Sequence, residues 1–505
     1  MSSSEASRAA TLASRTALHY IDGRFVESRS GGRFDTIDPA TNKPLTDVAE
    51  GTAEDVDAAV AAARRAFDDG PWPRMKPAER AAYMNAIADG IEARGDEIVA
   101  VECLDTGLPI TQARGQAARA AANFRFFARE IQQEHTTAYR VGDEFLNYVI
   151  RKPVGVAGLI TPWNTPFMLE TWKVAPALAT GNTCVLKPAE WSPLSAGKLA
   201  EVIHEAGLPD GVFNLVHGIG EDAGSRLTAH PGVQLISFTG ETATGQEIVR
   251  SGAETLKRYS MELGGKSPVV VFGDCDLDRA VDAAVFGVFS LNGERCTAGS
   301  RLLIEASIYD EFVARVADRA RKVRVGEPFD DSTELGPLIR PEHHDRVMGY
   351  VEAGEREGAR LLAGGRRPEA SPEGNYLEAT VFADVTRDMR IFQEEVFGPV
   401  VVASRFSGEA EAIELANDVR YGLAGYVWTS DIQRGHRVAQ SIDAGMVWIN
   451  SQNVRDLRAP FGGAKASGIV REGGEFSFEF YCETEVVHVA MGGHRIPRFG
   501  TGDEE

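Results

Sequence analysis

The strongest constraint on the fold is a change of texture at Val154. Beyond it, apolar runs of strand length (VGVAGLI, NTCVLKP, GVFNLVH and VQLISFTG) are separated by segments of helical length (TWKVAPALAT, PLSAGKLAEVIHEAG and EDAGSRLTAH). A strand inside a parallel sheet is buried on both faces, and its crossover to the next strand needs a helix's worth of chain. The alternation therefore predicts βαβ units and a mostly parallel sheet. A second series starts at VVVF (269–272) and runs through an apolar segment to Leu291, the strand RLLIEASI and the helix YDEFVARVADRARKV. It ends with PVVVASRF and AGMVWIN, so two doubly wound α/β domains are expected. Ahead of Val154, apolar residues recur at helical spacing over 55–68 and 78–103 (Val56, Ala59, Val60, Ala63, Phe67; Ile87, Ile91, Ile98), and 119–133 extends the run. The front quarter is expected to be mainly helical.

Charge and cysteine content narrow the functional classes. Of 505 residues, 43% are hydrophobic and 25% charged, and no window approaches the ~20 apolar residues of a membrane span. Lys plus Arg number 53 against 74 Asp plus Glu, a net charge of -21 that repels phosphate backbones, so nucleic acid and membrane are not expected as partners. Five cysteines without a CxxC pair point to a reducing compartment, the cytoplasm. The adjacent His343 and His344 lie in a charged stretch that reads as a solvated helix start, and no metal is expected. Residues 1–17, rich in Ser, Ala and Arg without an apolar core, read as a disordered tail, with an organelle presequence as the alternative.

Two places carry chemistry. FTGETATG (238–245) follows an expected strand and opens an expected helix, so Gly240 and Gly245 stand where backbone amides can face a phosphate. That spacing is not the usual dinucleotide fingerprint, and glycines at any such turn serve the same steric end. MELGGK (261–266) and Cys296 in NGERCTAGSR form a stronger pair. Glu262 is bordered by Gly264 and Gly265, which leave room for close approach, and Cys296 follows Arg295, whose charge is expected to favour the thiolate. A single such cysteine is most often an inert buried thiol.

Seven segments together overturn that bland reading: TPWNTPF, VLKPAE, FTGETATG, MELGGK, NGERC, EEVFGPV and PFGGAKASG. In this order and spacing the chain resembles the NAD(P)-dependent aldehyde dehydrogenase superfamily from about His19 to Phe499. The resemblance implies an NAD-binding domain (18–136 and 155–264) and a catalytic domain (265–479). It further implies a β arm that joins subunits (137–154 and 480–494), a C-terminal tail (495–505) and a homodimer or homotetramer. It also implies that Cys296 is the nucleophile, that Asn164 helps to hold the oxyanion, and that Glu262 is the base that activates water. For the cofactor it implies Lys187 and Glu190 at the adenosine ribose, Glu395 and Phe397 at the nicotinamide ribose, Trp163 and Gly264 beside them, and Gly240 and Gly245 at the phosphates. A carboxylate at Glu190 accepts a ribose hydroxyl and repels a 2′-phosphate, which favours NAD over NADP.

Within the family, NGERCTAGSR, SQNVRDLRAPFGGAKASG and REGGEFSFE resemble the branch that oxidises semialdehydes of aromatic ring cleavage. Such aldehydes carry carboxylates, for which Arg455, Arg458 and Arg295 are the candidate partners, although a loop pair of Asp456 with either Arg455 or Arg458 is the plain alternative. A related ring-cleavage semialdehyde, 2-hydroxymuconate semialdehyde, is the nearest competing substrate, another aldehyde comes next, and a catalytically silent binding protein of the same fold is the remote reading. Two residues break the family pattern. Glu241 stands where a serine is frequent, so its charge is expected to point away from the phosphates. Val470 stands where glycine is usual, which implies a backbone without positive φ.

Overall fold

The computed structural model describes residues 16–133, 135–369 and 373–500, so most of the N-terminal tail and the last five residues lie outside the described residues. The first sheet is built on five parallel strands: β1 (Val156–Ile160), β2 (Thr183–Lys187), β3 (Phe213–Leu215), β4 (Leu235–Thr239) and β5 (Arg258–Glu262). Their spatial order is β3-β2-β1-β4-β5. The chain thus winds outward from β1 in one direction and then returns to build the other half. Alternate residues face opposite layers: Ala157 and Leu159 pack into one apolar core, Val156 and Ile160 into another. This burial of both faces is why the strands read as continuous apolar runs.

The second sheet repeats the plan with β6 (Pro268–Val271), β7 (Arg301–Glu305), β8 (Thr380–Ala383), β9 (Val400–Phe406), β10 (Ala424–Trp428) and β11 (Met446–Ile449). The order is β8-β9-β7-β6-β10-β11, all parallel, with Arg360–Ala363 as an antiparallel edge on β8. Val269 and Val271 enter one core and Val270 the other, again by the two-residue period. A separate three-stranded antiparallel sheet joins Phe145–Pro153 to Ala138–Val141 on one side and Cys482–Ala490 on the other.

Three expectations need correction. The front quarter is helical from Ala53 to Gln133, but four short strands precede it between His19 and Ala49. These strands are edge or hairpin strands with mixed polarity, so they lack an apolar run. The available clue was Asp22–Gly23, where both φ values are positive (53° and 77°) as a two-residue hairpin turn requires. His343 and His344 are not solvated: both are buried at the start of helix Pro341–Arg356. Val470 does adopt positive φ, at 75°, a conformation that costs a β-branched residue about 1–2 kcal/mol or more. It is held there between the antiparallel pairing of Gly468–Ile469 with the end of β5 and the backbone bridge of Glu472 to Phe461. Among the described residues no helix is long and apolar enough to cross a membrane.

Candidate active site

In an open parallel sheet, ligands bind outside the carboxyl ends of the strands where the winding direction reverses. Here that point lies between β1 and β4, and the residues just past their ends, 162–164 and 239–241, line a cavity of about 240 Å³. A second cavity of about 430 Å³ opens on the other side. Cys296 and Asn164 line both, so the two cavities meet at the thiol.

Local sequence explains how the thiol is presented. After helix Leu277–Phe289, Leu291 and Asn292 take positive φ, which turns the chain out of the helix. Buried Asn292 fixes the turn by donating from Nδ2 to the carbonyls of Gly107 (3.1 Å) and Pro337 (3.0 Å) and accepting from Gly336 N at 2.7 Å. Gly293, at φ 72°, lies so close to the Gly398–Pro399 backbone that a Cβ has no room. Beyond it, the Asn164 amide donates to the carbonyl of Glu294 at 2.7 Å, which ties the turn after β1 to the cysteine loop.

Glu262 is the last residue of β5, fully buried, and neither carboxylate oxygen has a hydrogen-bond partner among the described residues. Burial, reinforced by the charge of Glu472, pushes its carboxyl well above the usual range, which makes its carboxylate a stronger base than an ordinary one. Glu472 was not singled out from sequence; it accepts bonds from Trp172 Nε1 (2.7 Å), Lys173 Nζ (3.1 Å), Ser237 Oγ (2.8 Å) and Ser260 Oγ (2.8 Å). Arg295 does favour a thiolate at Cys296, as expected, but it is outweighed. Burial, then the charges of Glu395 and Glu262, push the thiol up to about 12, and Arg295 offsets only part of this.

On the first cavity's wall, Trp163, Phe397 and His343 form an aromatic cluster, with Trp163 edge-on to Phe397 at 5.2 Å and to His343 at 5.0 Å. Phe397 has φ 59°, and its carbonyl meets His343 Nε2 at 2.7 Å. His343 is thus a cavity residue whose helix-start position gave no sign of it. Glu395 accepts from Gly265 N at 2.8 Å and packs against Gly264 so closely that a Cβ there would collide with its carboxylate. Burial raises the Glu395 carboxyl to about 7. Lys187, at the end of β2, donates to Glu190 at 3.2 Å, but neither lines the cavity.

Gly240 and Gly245 are at the expected turn, yet their amides are already used: Gly240 N donates to Glu262 O, and Gly245 N to Glu241 O. The amides left without a helical acceptor are those of Thr242, Ala243 and Thr244, the first turn of helix Thr242–Ser251. The Glu241 carboxylate turns to Arg346 at 3.8 Å.

The second cavity separates the two loop arginines. Arg455 lines it, stacked on Phe461 (4.0 Å) and Trp172 (5.2 Å). Arg458 does not: it is 74% exposed and bidentate to Asp456, the pairing foreseen as the plain alternative. Arg295 lines the cavity, and so does Arg119, which sequence reading passed over as one polar residue of a long helix. Among the described residues no group of three or more His, Cys, Asp or Glu is placed to hold a metal ion.

Comparison with known proteins shows the family and the fold. The model of the aldehyde dehydrogenase family matches residues 25–487. The chain is 50% identical over 465 residues to 5-carboxymethyl-2-hydroxymuconate semialdehyde dehydrogenase of Escherichia coli, covering 91% of this chain and 98% of the relative. It is similar to the crystal structure of HpcC from Thermus thermophilus, with a TM-score of 0.97 and 51% identity over 99% of this chain and 98% of that one. It is also similar to the NAD+ complex of an aldehyde dehydrogenase from Bacillus cereus, with a TM-score of 0.94 and 41% identity over 96% and 99%.

Proposed function

The chain belongs to the aldehyde dehydrogenase family, and from that premise we propose that it oxidises 5-carboxymethyl-2-hydroxymuconate semialdehyde to the corresponding carboxylic acid with NAD, in 4-hydroxyphenylacetate degradation. The observation that carries the substrate is the cavity at Cys296, lined by Arg119, Arg295 and Arg455 in a chain of net charge -21. Three cations gathered at one opening of an acidic protein suit an acidic aldehyde.

The residues present fit NAD. The first cavity lies at the winding reversal, and free amides open helix Thr242–Ser251. Glu190, Glu395, Phe397 and Trp163 would hold it, and bound NAD supplies the hydride acceptor. The chain's own residues do the rest. Cys296 Sγ attacks the aldehyde carbon, its proton leaving to solvent or to Glu262, and the thiohemiacetal oxyanion is held by the second N–H of the Asn164 amide and the backbone N–H of Cys296. Once the carbon is oxidised, Glu262 takes a proton from the water that attacks the thioester, and the thiol leaves with the acid released.

The cytoplasm and a homo-oligomer joined through the three-stranded arm belong to the same reading. It is supported by five free cysteines and by the apolar residues Tyr139, Val141 and Val486 exposed on the arm. NAD reduction measured with this semialdehyde, 2-hydroxymuconate semialdehyde, aliphatic aldehydes and betaine aldehyde tests the substrate. The expected kcat/KM is at least about tenfold higher for the carboxylated semialdehydes, one charged hydrogen bond's worth. A preference for betaine aldehyde or an uncharged aldehyde would refute it.

A further inference from the structure

Arg119, Arg295 and Arg455 are more cations than one remote carboxylate can satisfy. Among the described residues, none of the three has a carboxylate within ion-pair distance. Their charges also sense one another: burial, then Arg295, holds Arg119 below the ordinary arginine range, and burial, then Arg119, does the same to Arg455. Arg119 is therefore within electrostatic reach of both, on the wall of the same cavity. Packed cations without counterions are costly, so a site that keeps three of them is shaped for more than one negative group.

The three are presented differently. Arg455 is stacked on aromatic faces, which leaves the in-plane N–H edge of its guanidinium open. Arg295 is pinned by Ser290 Oγ at 2.9 Å on Nη1 and Thr297 Oγ1 at 3.1 Å on Nε, and Nη2 remains for a ligand. Arg295 lines the cavity with Cys296 and is the guanidinium whose charge acts on the thiol, while Arg455 comes to the same cavity from another loop.

We propose that the cavity holds two carboxylates at once: a distal one between Arg119 and Arg455, and a proximal one at Arg295, borne on a short branch at the carbon next to the aldehyde. Arg295 is then the residue that selects branched dicarboxylated semialdehydes over unbranched monocarboxylated ones. This rests on the reading above that the substrate is an acidic semialdehyde. A carboxymethyl group at the carbon adjoining the aldehyde supplies the proximal charge, and 2-hydroxymuconate semialdehyde lacks it.

The test compares kcat/KM for those two semialdehydes in the wild type, Arg295→Met and Arg455→Met, with Arg295→Gln in reserve if the methionine variant does not fold. Arg295→Met should lower the branched-to-unbranched ratio by about tenfold or more, and Arg455→Met should lower both values and move the ratio by less than about threefold. An Arg295→Met ratio equal to that of the wild type overturns the assignment. A second readout is independent of the substrate: the rate of Cys296 alkylation by iodoacetate, divided by that by iodoacetamide. The anionic reagent places a carboxylate next to the carbon that Sγ attacks, and division cancels changes in thiol reactivity. The ratio should fall at least about fivefold in Arg295→Met and recover in Arg295→Lys. If the wild type oxidises neither semialdehyde, the substrate reading falls, and the alkylation ratio alone decides on Arg295, an unchanged ratio counting against it.

Discussion

Cys296 sits in an unfavourable field for a nucleophile. Burial and the carboxylates of Glu395 and Glu262 hold its proton, and one neighbouring guanidinium does not reverse that. Because the thiolate is the reactive form, alkylation by iodoacetamide in the nucleotide-free protein should keep rising about tenfold per pH unit through pH 9. A plateau near neutrality would mean that the thiolate is preformed. Glu262 meets the opposite requirement, since a carboxyl raised by burial is a better base than an ordinary one. Glu262→Gln should still give one rapid equivalent of NADH per site, followed by steady turnover slowed about a hundredfold or more. Pre-steady-state absorbance at 340 nm reads both phases, and an unslowed second phase would place the base elsewhere.

At the scale of elements, three carboxyl-bearing residues are buried where helices Gly95–Thr106, Pro166–Ala179 and Leu194–Glu205 come together: Glu102, Asp105 and Glu170. Asp105 accepts from Leu194 N at 2.9 Å, and Ser195 Oγ donates to Glu170 at 3.2 Å, while among the described residues Glu102 has only the Phe167 backbone near its carboxyl and no side-chain partner. Burial raises the Glu102 carboxyl to about 8. A carboxyl whose folded-state value lies above its unfolded value binds its proton more tightly in the folded protein. The stability it contributes is full below the unfolded value and is lost as pH rises toward 8. Glu102→Gln, which mimics the protonated acid, should therefore raise the melting temperature more at pH 8 than at pH 5. Equal shifts at both pH values would show that the Glu102 carboxyl titrates alike in the folded and unfolded protein.

For the whole molecule, the three-stranded arm is the part that no core explains. By register, Tyr139, Val141 and Val486 fall on one face of it, and all three are exposed. They share that face with Asn147 and His488, a mixture that suits contact with another protein surface. If it joins subunits, Tyr139→Asp combined with Val486→Asp should shift sedimentation toward the monomer, at unchanged far-ultraviolet circular dichroism. An unchanged assembly would assign subunit contact to another surface.

How much of this was legible in the chain differs by residue. The apolar runs of β1, β2 and β4 announced a doubly wound sheet because burial on both faces leaves no polar positions, a property local to each strand. Cys296, Glu262 and Asn164 were legible through motif order, and the structure brings all three to one cavity. Arg455 and Arg458 were not separable, because they share one irregular loop with no period to say which side chain turns inward. Arg119 was invisible for the converse reason: its helix is regular, but the groups facing it come from 295 and 455. Val470 was misread because strand pairings on either side of it, to β5 and to Phe461, and not its own preference, set its φ. The protonation of Cys296 follows the same rule. Sequence by itself determined which elements form and in what order, since those depend on neighbours along the chain. Only the tertiary structure decided which charges share a cavity and what they do to one thiol, since electrostatic energy sums over neighbours in space.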